Sequence, residues 1–134
     1  RAASAGVKAS VIVLLGLGGR TFSGVHVRDT IRALNDMQPR YLSFLSVMLI
    51  PGTPLFEEAK RGAFEELNPK ELLREMRDIL DGLELEKTVF RSNHASNFLA
   101  LEGRLPEDKT KMLALLDSAL SGKIKLRPGF LRGL

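Results

Sequence analysis

The first apolar run, Val7 to Leu15, is β-branched and almost unbroken, the pattern of a strand buried on both faces in a parallel sheet. Gly16-Leu17-Gly18-Gly19 follows, where the backbone can turn freely and come close to a ligand. Between 25 and 37, Val27, Ile31 and Leu34 recur on one stripe while Arg28, Arg32 and Asp36 fall off it. That spacing predicts an amphipathic helix, closed by Pro39. Tyr41 to Ile50 reads as a second apolar strand, halted by Pro51-Gly52-Thr53-Pro54. Strand, helix, strand in this order is a βαβ unit, whose crossover is right-handed.

A short helix is expected over 54–61, with Pro54 in its first turn and Gly62 ending it. Asn68-Pro69-Lys70-Glu71 is the sharpest local signal. Asn68 caps, Pro69 suits the first helical position, and Glu71 completes a capping-box spacing. Leu72, Leu73, Met76, Ile79, Leu80 and Leu83 then form a helical stripe. Thr88 to Arg91 is a short strand leading into Asn93-His94-Ala95-Ser96-Asn97, and a final helix is predicted near 106–121, with Glu107 and Asp108 in its first turn. The tail, 123–134, reads as basic and loosely held.

Composition narrows the chemistry. The 134 residues contain no cysteine and two histidines, which excludes a disulfide scaffold, a zinc finger, a catalytic thiol and thiolate-held iron–sulfur ligation within the chain. The formal charge of +4 comes from 20 Lys and Arg against 16 Asp and Glu. Its distribution is uneven: Arg1, Lys8, Arg20 and Arg28 at one end and Lys123, Lys125, Arg127 and Arg132 at the other meet no acid in their own stretches, while 29–121 holds all the carboxylates. The longest apolar run, Ala9 to Gly18, is about half of the ~20 residues a membrane span needs. A cytoplasmic location is the expectation. Arg1 to Gly6 resembles the last turn of a helix stopped by glycine, and suggests a piece of a longer protein.

The glycine cluster fails two phosphate-binding patterns. A dinucleotide fingerprint needs a third glycine where Thr21 stands, and a P-loop needs a lysine where Val25 stands. What survives is a glycine-rich loop at the carboxyl end of a parallel strand, where α/β folds place ligands. A tight turn without a ligand explains it equally simply. Asn93, His94, Ser96 and Asn97 gather four hydrogen-bonding side chains, which suits either a polar substrate or a turn rich in capping residues. His26 and Asp29 lie one helical turn apart, too few for a metal site. No nucleophile elbow is present.

Taken together, Val13 to Gly19, Pro51-Gly52-Thr53-Pro54-Leu55, Phe90 to Asn97 and Gly103 to Lys109 resemble the C-terminal half of radical S-adenosylmethionine (SAM) proteins. The nearest group is the Fe–S oxidoreductases related to oxygen-independent coproporphyrinogen III oxidase. The resemblance implies an α/β fold, the end of a partial (β/α)6 TIM-like barrel with about three parallel strands and a helical C-terminal extension. It implies barrel βα units over 1–62, the extension over 63–122 and a basic tail over 123–134.

By the same resemblance, SAM and a [4Fe-4S] cluster are cofactors of the longer protein, with the cluster on a Cys-x-x-x-Cys-x-x-Cys loop that this sequence lacks. Gly16, Leu17, Gly18 and Gly19 would approach SAM, Leu49 and Ile50 would flank its adenine, and Asn93, His94, Ser96 and Asn97 would face substrate. The chain alone would be inert, its partner the N-terminal half of the same polypeptide, and its cut barrel edges would favour self-association. A stand-alone α/β module binding RNA or another polyanion is the alternative. With seven Phe and one Tyr mostly in apolar runs, few aromatics are left for base stacking.

Overall fold

The computed structural model describes residues 5–132. Its elements are β1 (Ser10–Leu15), α1 (Ser23–Met37), β2 (Tyr41–Ser46), α2 (Pro54–Lys60), α3 (Pro69–Gly82), β3 (Thr88–Arg91), β4 (Glu102–Leu105) and α4 (Lys109–Leu120), followed by a 3-10 turn at Gly129–Leu131. The strands form one sheet in the order β1-β2-β3-β4. β1, β2 and β3 are parallel and β4 returns antiparallel against β3. The chain is therefore α/β with a mostly parallel sheet.

Two crossovers that step the same way along a sheet, each right-handed, put their helices on the same face. Accordingly α1 packs on α3, and α3 on α4. The covered face is built from alternate strand residues: Val13 and Leu15 of β1, Leu42 and Phe44 of β2, Phe90 of β3 and Leu105 of β4, all buried. Against them lie Leu34 of α1, Leu72, Met76, Ile79 and Leu80 of α3, and Met112 and Leu116 of α4. Phe44 and Phe90 meet edge to face, with centroids 4.9 Å apart. Each such side chain, fully buried, contributes about 1.5–3 kcal/mol.

The other face is bare. By register it carries Ile12 beside Ser43, with Arg91 and Glu102 further along the row. Ile12 is 67% exposed and Tyr41 46%, while Leu14, Leu45 and Val89 are half-buried. The outer edge of β1 is open too. The Ala9 carbonyl accepts from Arg40 and Tyr41, and the Leu15 carbonyl from Val47, so the odd-numbered peptides face β2. Those of Ser10, Ile12 and Leu14 face outward.

Several boundaries differ from the sequence pattern for identifiable reasons. β1 starts at Ser10 rather than Val7, because its partner strand starts at Tyr41. β2 ends at Ser46 rather than Ile50: once β1 has turned at Gly16, residues 48–50 have no neighbour to pair with. α4 starts at Lys109, and the acids expected in its first turn precede it. Asp108 instead accepts the Arg104 N–H at 2.8 Å. β4 was not expected, since Glu-Gly-Arg-Leu has neither alternation nor β-branching, and only pairing with β3 makes it a strand.

In the described part of the tail, Arg127 and Arg132 hydrogen-bond to the body of the domain. The helix end read at Arg1 to Gly6 lies outside the described residues except for its last two; Gly6 does take the left-handed φ of +79°. No described helix is long and apolar enough to cross a membrane.

Candidate functional site

All three loops singled out in the sequence emerge at the same end of the sheet, beyond the carboxyl termini of β1, β2 and β3. That is the end at which α/β folds assemble sites from loops.

The first loop, Gly16 to Gly19, is shaped by its own chain. Gly16 and Gly19 have φ of +80° and +62°, which a β-carbon disfavours. A Cβ at Gly16 would lie 2.9 Å from Leu72 Cδ2, one at Gly18 2.9 Å from the Phe22 carbonyl oxygen, and one at Gly19 2.9 Å from the Phe64 ring. The close approach that glycine permits here is therefore to α3, the start of α1 and the 61–67 loop. Gly16 N–H donates 2.6 Å to Oε2 of Glu75, a buried carboxylate on α3, and Ser23 Oγ donates 2.8 Å to its Oε1. Gly19 N–H closes the turn on the Gly16 carbonyl at 3.0 Å.

Just beyond, Arg20 grips Glu71 in a two-pronged ion pair at 3.0 and 2.9 Å and reaches Glu65 at 3.3 Å. Its bond to Arg20, and then the N–H of Asn68, hold the Glu71 carboxyl below its ordinary range. Glu71 thus closes the capping box of α3 and ties the glycine loop to it. The Leu17 and Gly18 N–H groups donate to no acceptor among the described residues, and Leu17 is half exposed.

The third loop is a closed polar network. Asn97 is 1% exposed. Its Nδ2 donates to the Phe44 carbonyl at 2.8 Å and to the carbonyl and hydroxyl of Ser92 at 3.1 and 3.0 Å. Its Oδ1 accepts from Ser46 Oγ at 2.7 Å. Ser96 Oγ accepts the Ser46 N–H at 3.1 Å, so two side chains of this loop cap the end of β2. Ser96 N–H also donates to His94 Nδ1 at 3.1 Å. A backbone N–H can only donate, so that nitrogen carries the lone pair and the ring proton sits on Nε2. Asn93 is exposed and His94 half-buried. Of the four expected substrate residues these two face outward, while Ser96 and Asn97 hold the loop.

The tail completes this network. Arg127 Nη1 donates to the carbonyls of Ala95 at 2.9 Å and Asn97 at 3.1 Å. Arg132 Nε donates to the Ser96 carbonyl at 2.6 Å and Nη2 to that of Val47 at 3.2 Å, with the guanidinium 4.1 Å from the Phe98 ring centre. Burial pulls its pKa below the ordinary arginine value. Leu49 and Ile50 are half-buried between these loops in sequence. The Ile50 carbonyl accepts from the N–H and hydroxyl of Thr53 at 3.2 and 2.7 Å.

Glu75, Ser46, Arg127 and Arg132 were missed in the sequence. Glu75 had a signal, because it lies three residues after Leu72 and four before Ile79, a charge on the apolar stripe of α3. Ser46 had none beyond its place in an apolar strand, and the arginines sat in an unpatterned tail.

His26 Nε2 donates to the outward Leu14 carbonyl at 3.0 Å, and Asp29 pairs with Arg28 at 3.0 Å, so the two do not combine. Among the described residues no group of three His, Asp or Glu could hold a metal ion. Comparison of the chain with protein-family models, with curated proteins and with solved structures gave no match.

Proposed function

We propose that this chain is the C-terminal part of a radical SAM iron–sulfur oxidoreductase and contributes part of its SAM pocket and of its substrate wall. The observation that carries the reading is the one-sided sheet. Three consecutive parallel strands with α1 and α3 packed together on one face, a second face carrying the exposed Ile12, and an outer edge of β1 paired with no strand support an arc of barrel wall. A doubly wound sheet would place helices on both faces.

The fit of the cofactors is unequal. With no cysteine in the chain, these residues do not suit a cluster, and the reading leaves it to the N-terminal half of the same polypeptide. SAM suits them as one wall. Leu17 and Gly18 offer two N–H donors without an acceptor among the described residues, beside a loop held by Glu75 and Arg20, and Leu49 and Ile50 offer apolar surface at the neighbouring strand end. Asn93 and the Nε2–H of His94 are the groups able to meet a polar substrate.

Hydrogen exchange on the polypeptide extended through its upstream coding sequence tests this reading. Saturating SAM should slow exchange within 16–19. Unchanged exchange there, with SAM demonstrably bound, would overturn the assignment of that loop.

A further inference from the structure

At the opposite end of the sheet the strands enter from a cationic hollow. A 380 Å³ cavity is lined by Lys8, Gln38, Arg40, Glu86 and Lys87 together with Gly6 and Val7. Arg40 and Lys87 also line an adjoining 160 Å³ cavity with Arg104 and Glu107. Lys8, Arg40, Lys87 and Arg104 make no ion pair with a described carboxylate. Four cations thus face two acids, in a chain whose central stretch carries all its acids. The larger volume lies within the range of small-molecule sites, about 300–1,000 Å³.

The hollow is also rigidly framed. Arg40 and Tyr41 N–H both donate to the Ala9 carbonyl, and Val89 N–H to that of Arg40. Thr88 Oγ1 donates to the Pro39 carbonyl at 2.6 Å. Gln38, at the left-handed φ of 48°, is held by its own amide: Nε2 donates to the Asn35 and Glu84 carbonyls, and Oε1 accepts the Glu86 N–H. A strained backbone position held by three side-chain bonds fixes where Arg40 and Lys87 begin. The framed backbone carries two exposed lysine point charges and one planar arginine fork, the donor set that suits phosphate oxygens.

We propose that Lys8, Arg40 and Lys87 form a binding site for a small diphosphate-bearing molecule. Two adjoining cavities that share Arg40 and Lys87 suit two linked anionic centres rather than one. The site lies at the amino end of the strands, away from the glycine loop, and rests on no part of the SAM reading.

The test is titration of the 134-residue chain with pyrophosphate at constant ionic strength, followed by amide NMR shifts and calorimetry. Saturable shifts confined to 6–9, 38–41 and 86–89 are expected. Lys87→Ala and Arg40→Ala should each weaken binding about ten- to a hundredfold, the loss of one charge-assisted contact. Lys125→Ala in the tail should leave it unchanged. Lys87 is exposed, so Lys87→Ala should melt like the parent and report on binding alone. Absence of saturation at millimolar pyrophosphate, or equal loss on Lys125→Ala, would overturn the proposal. Binding of an oligonucleotide but not of pyrophosphate, falling steeply with salt, would overturn it equally, in favour of an RNA-binding surface.

Discussion

Asn97→Ala probes the polar network that closes the end of β2. The two hydrogens of Nδ2 serve three acceptors and Oδ1 serves one donor, all with Asn97 almost wholly excluded from water. Three hydrogen bonds at about 1 kcal/mol each are lost, and the buried Ser46 hydroxyl is left without its acceptor, which adds about 1–3 kcal/mol. The expected destabilisation is therefore about 4–6 kcal/mol. With an unfolding entropy of about 2.1 cal/mol/K per residue over 134 residues, Tm should fall by roughly 14–21 °C. Calorimetry and urea titration measure this, and hydrogen exchange should show protection lost first over 92–97. Asn97→Asp should cost at least as much, because it sets an acceptor-only group against the Phe44 and Ser92 carbonyls. A fall in Tm of less than about 3 °C for Asn97→Ala would refute the reasoning and free Asn97 for a ligand.

The remaining predictions concern the glycine loop, acid stability and the bare sheet face. Gly16→Ala combines a left-handed φ with a contact to Leu72 and should destabilise by about 1–2 kcal/mol or more, whereas Gly24→Ala, in α1 with open space around it, should stabilise by up to about 1 kcal/mol; denaturant curves that reverse this order would contradict the account of the loop. Arg20 holds the Glu71 carboxyl below its unfolded value, so that contribution is complete above the ordinary glutamate pKa and disappears as pH falls through the lowered one. In Glu71→Gln the acid limb of a stability–pH curve should lose this component, and an unaltered limb would count against it. Ile12→Lys should weaken self-association of the isolated chain, and light scattering that gives a monomeric mass for the parent at every concentration would remove the basis for that expectation.

Where a residue's role is local, the sequence already showed it. The Asn68–Glu71 capping box forms as spaced, with bonds of 2.8 and 2.9 Å. The stripe of α3 is buried as its period requires, and Thr88 to Arg91 is a strand with those bounds. What depends on partners distant in the chain was not legible. β4 exists only through β3, and the end of β2 is set by the point at which β1 turns.

The same division runs through the site. The polarity of Asn93 to Asn97 was plain, but which of its members turn inward depends on Ser46, some 50 residues earlier, and on two tail arginines some 30 residues later. The glycines signalled close approach without saying to what, and the chain's own Leu72, Phe22 and Phe64 supply the answer. Glu75 marks the intermediate case, a charge whose helical phase could have flagged it while its partners could not be read.

The barrel-wall reading meets its most direct test in anaerobic reconstitution of the polypeptide extended through its upstream coding sequence. Supplied with iron, sulfide, a reductant and SAM, that protein should contain a Cys-x-x-x-Cys-x-x-Cys loop and yield 5′-deoxyadenosine, while the 134-residue chain treated identically should yield none. An upstream sequence lacking those cysteines, or product from the 134 residues alone, would contradict it.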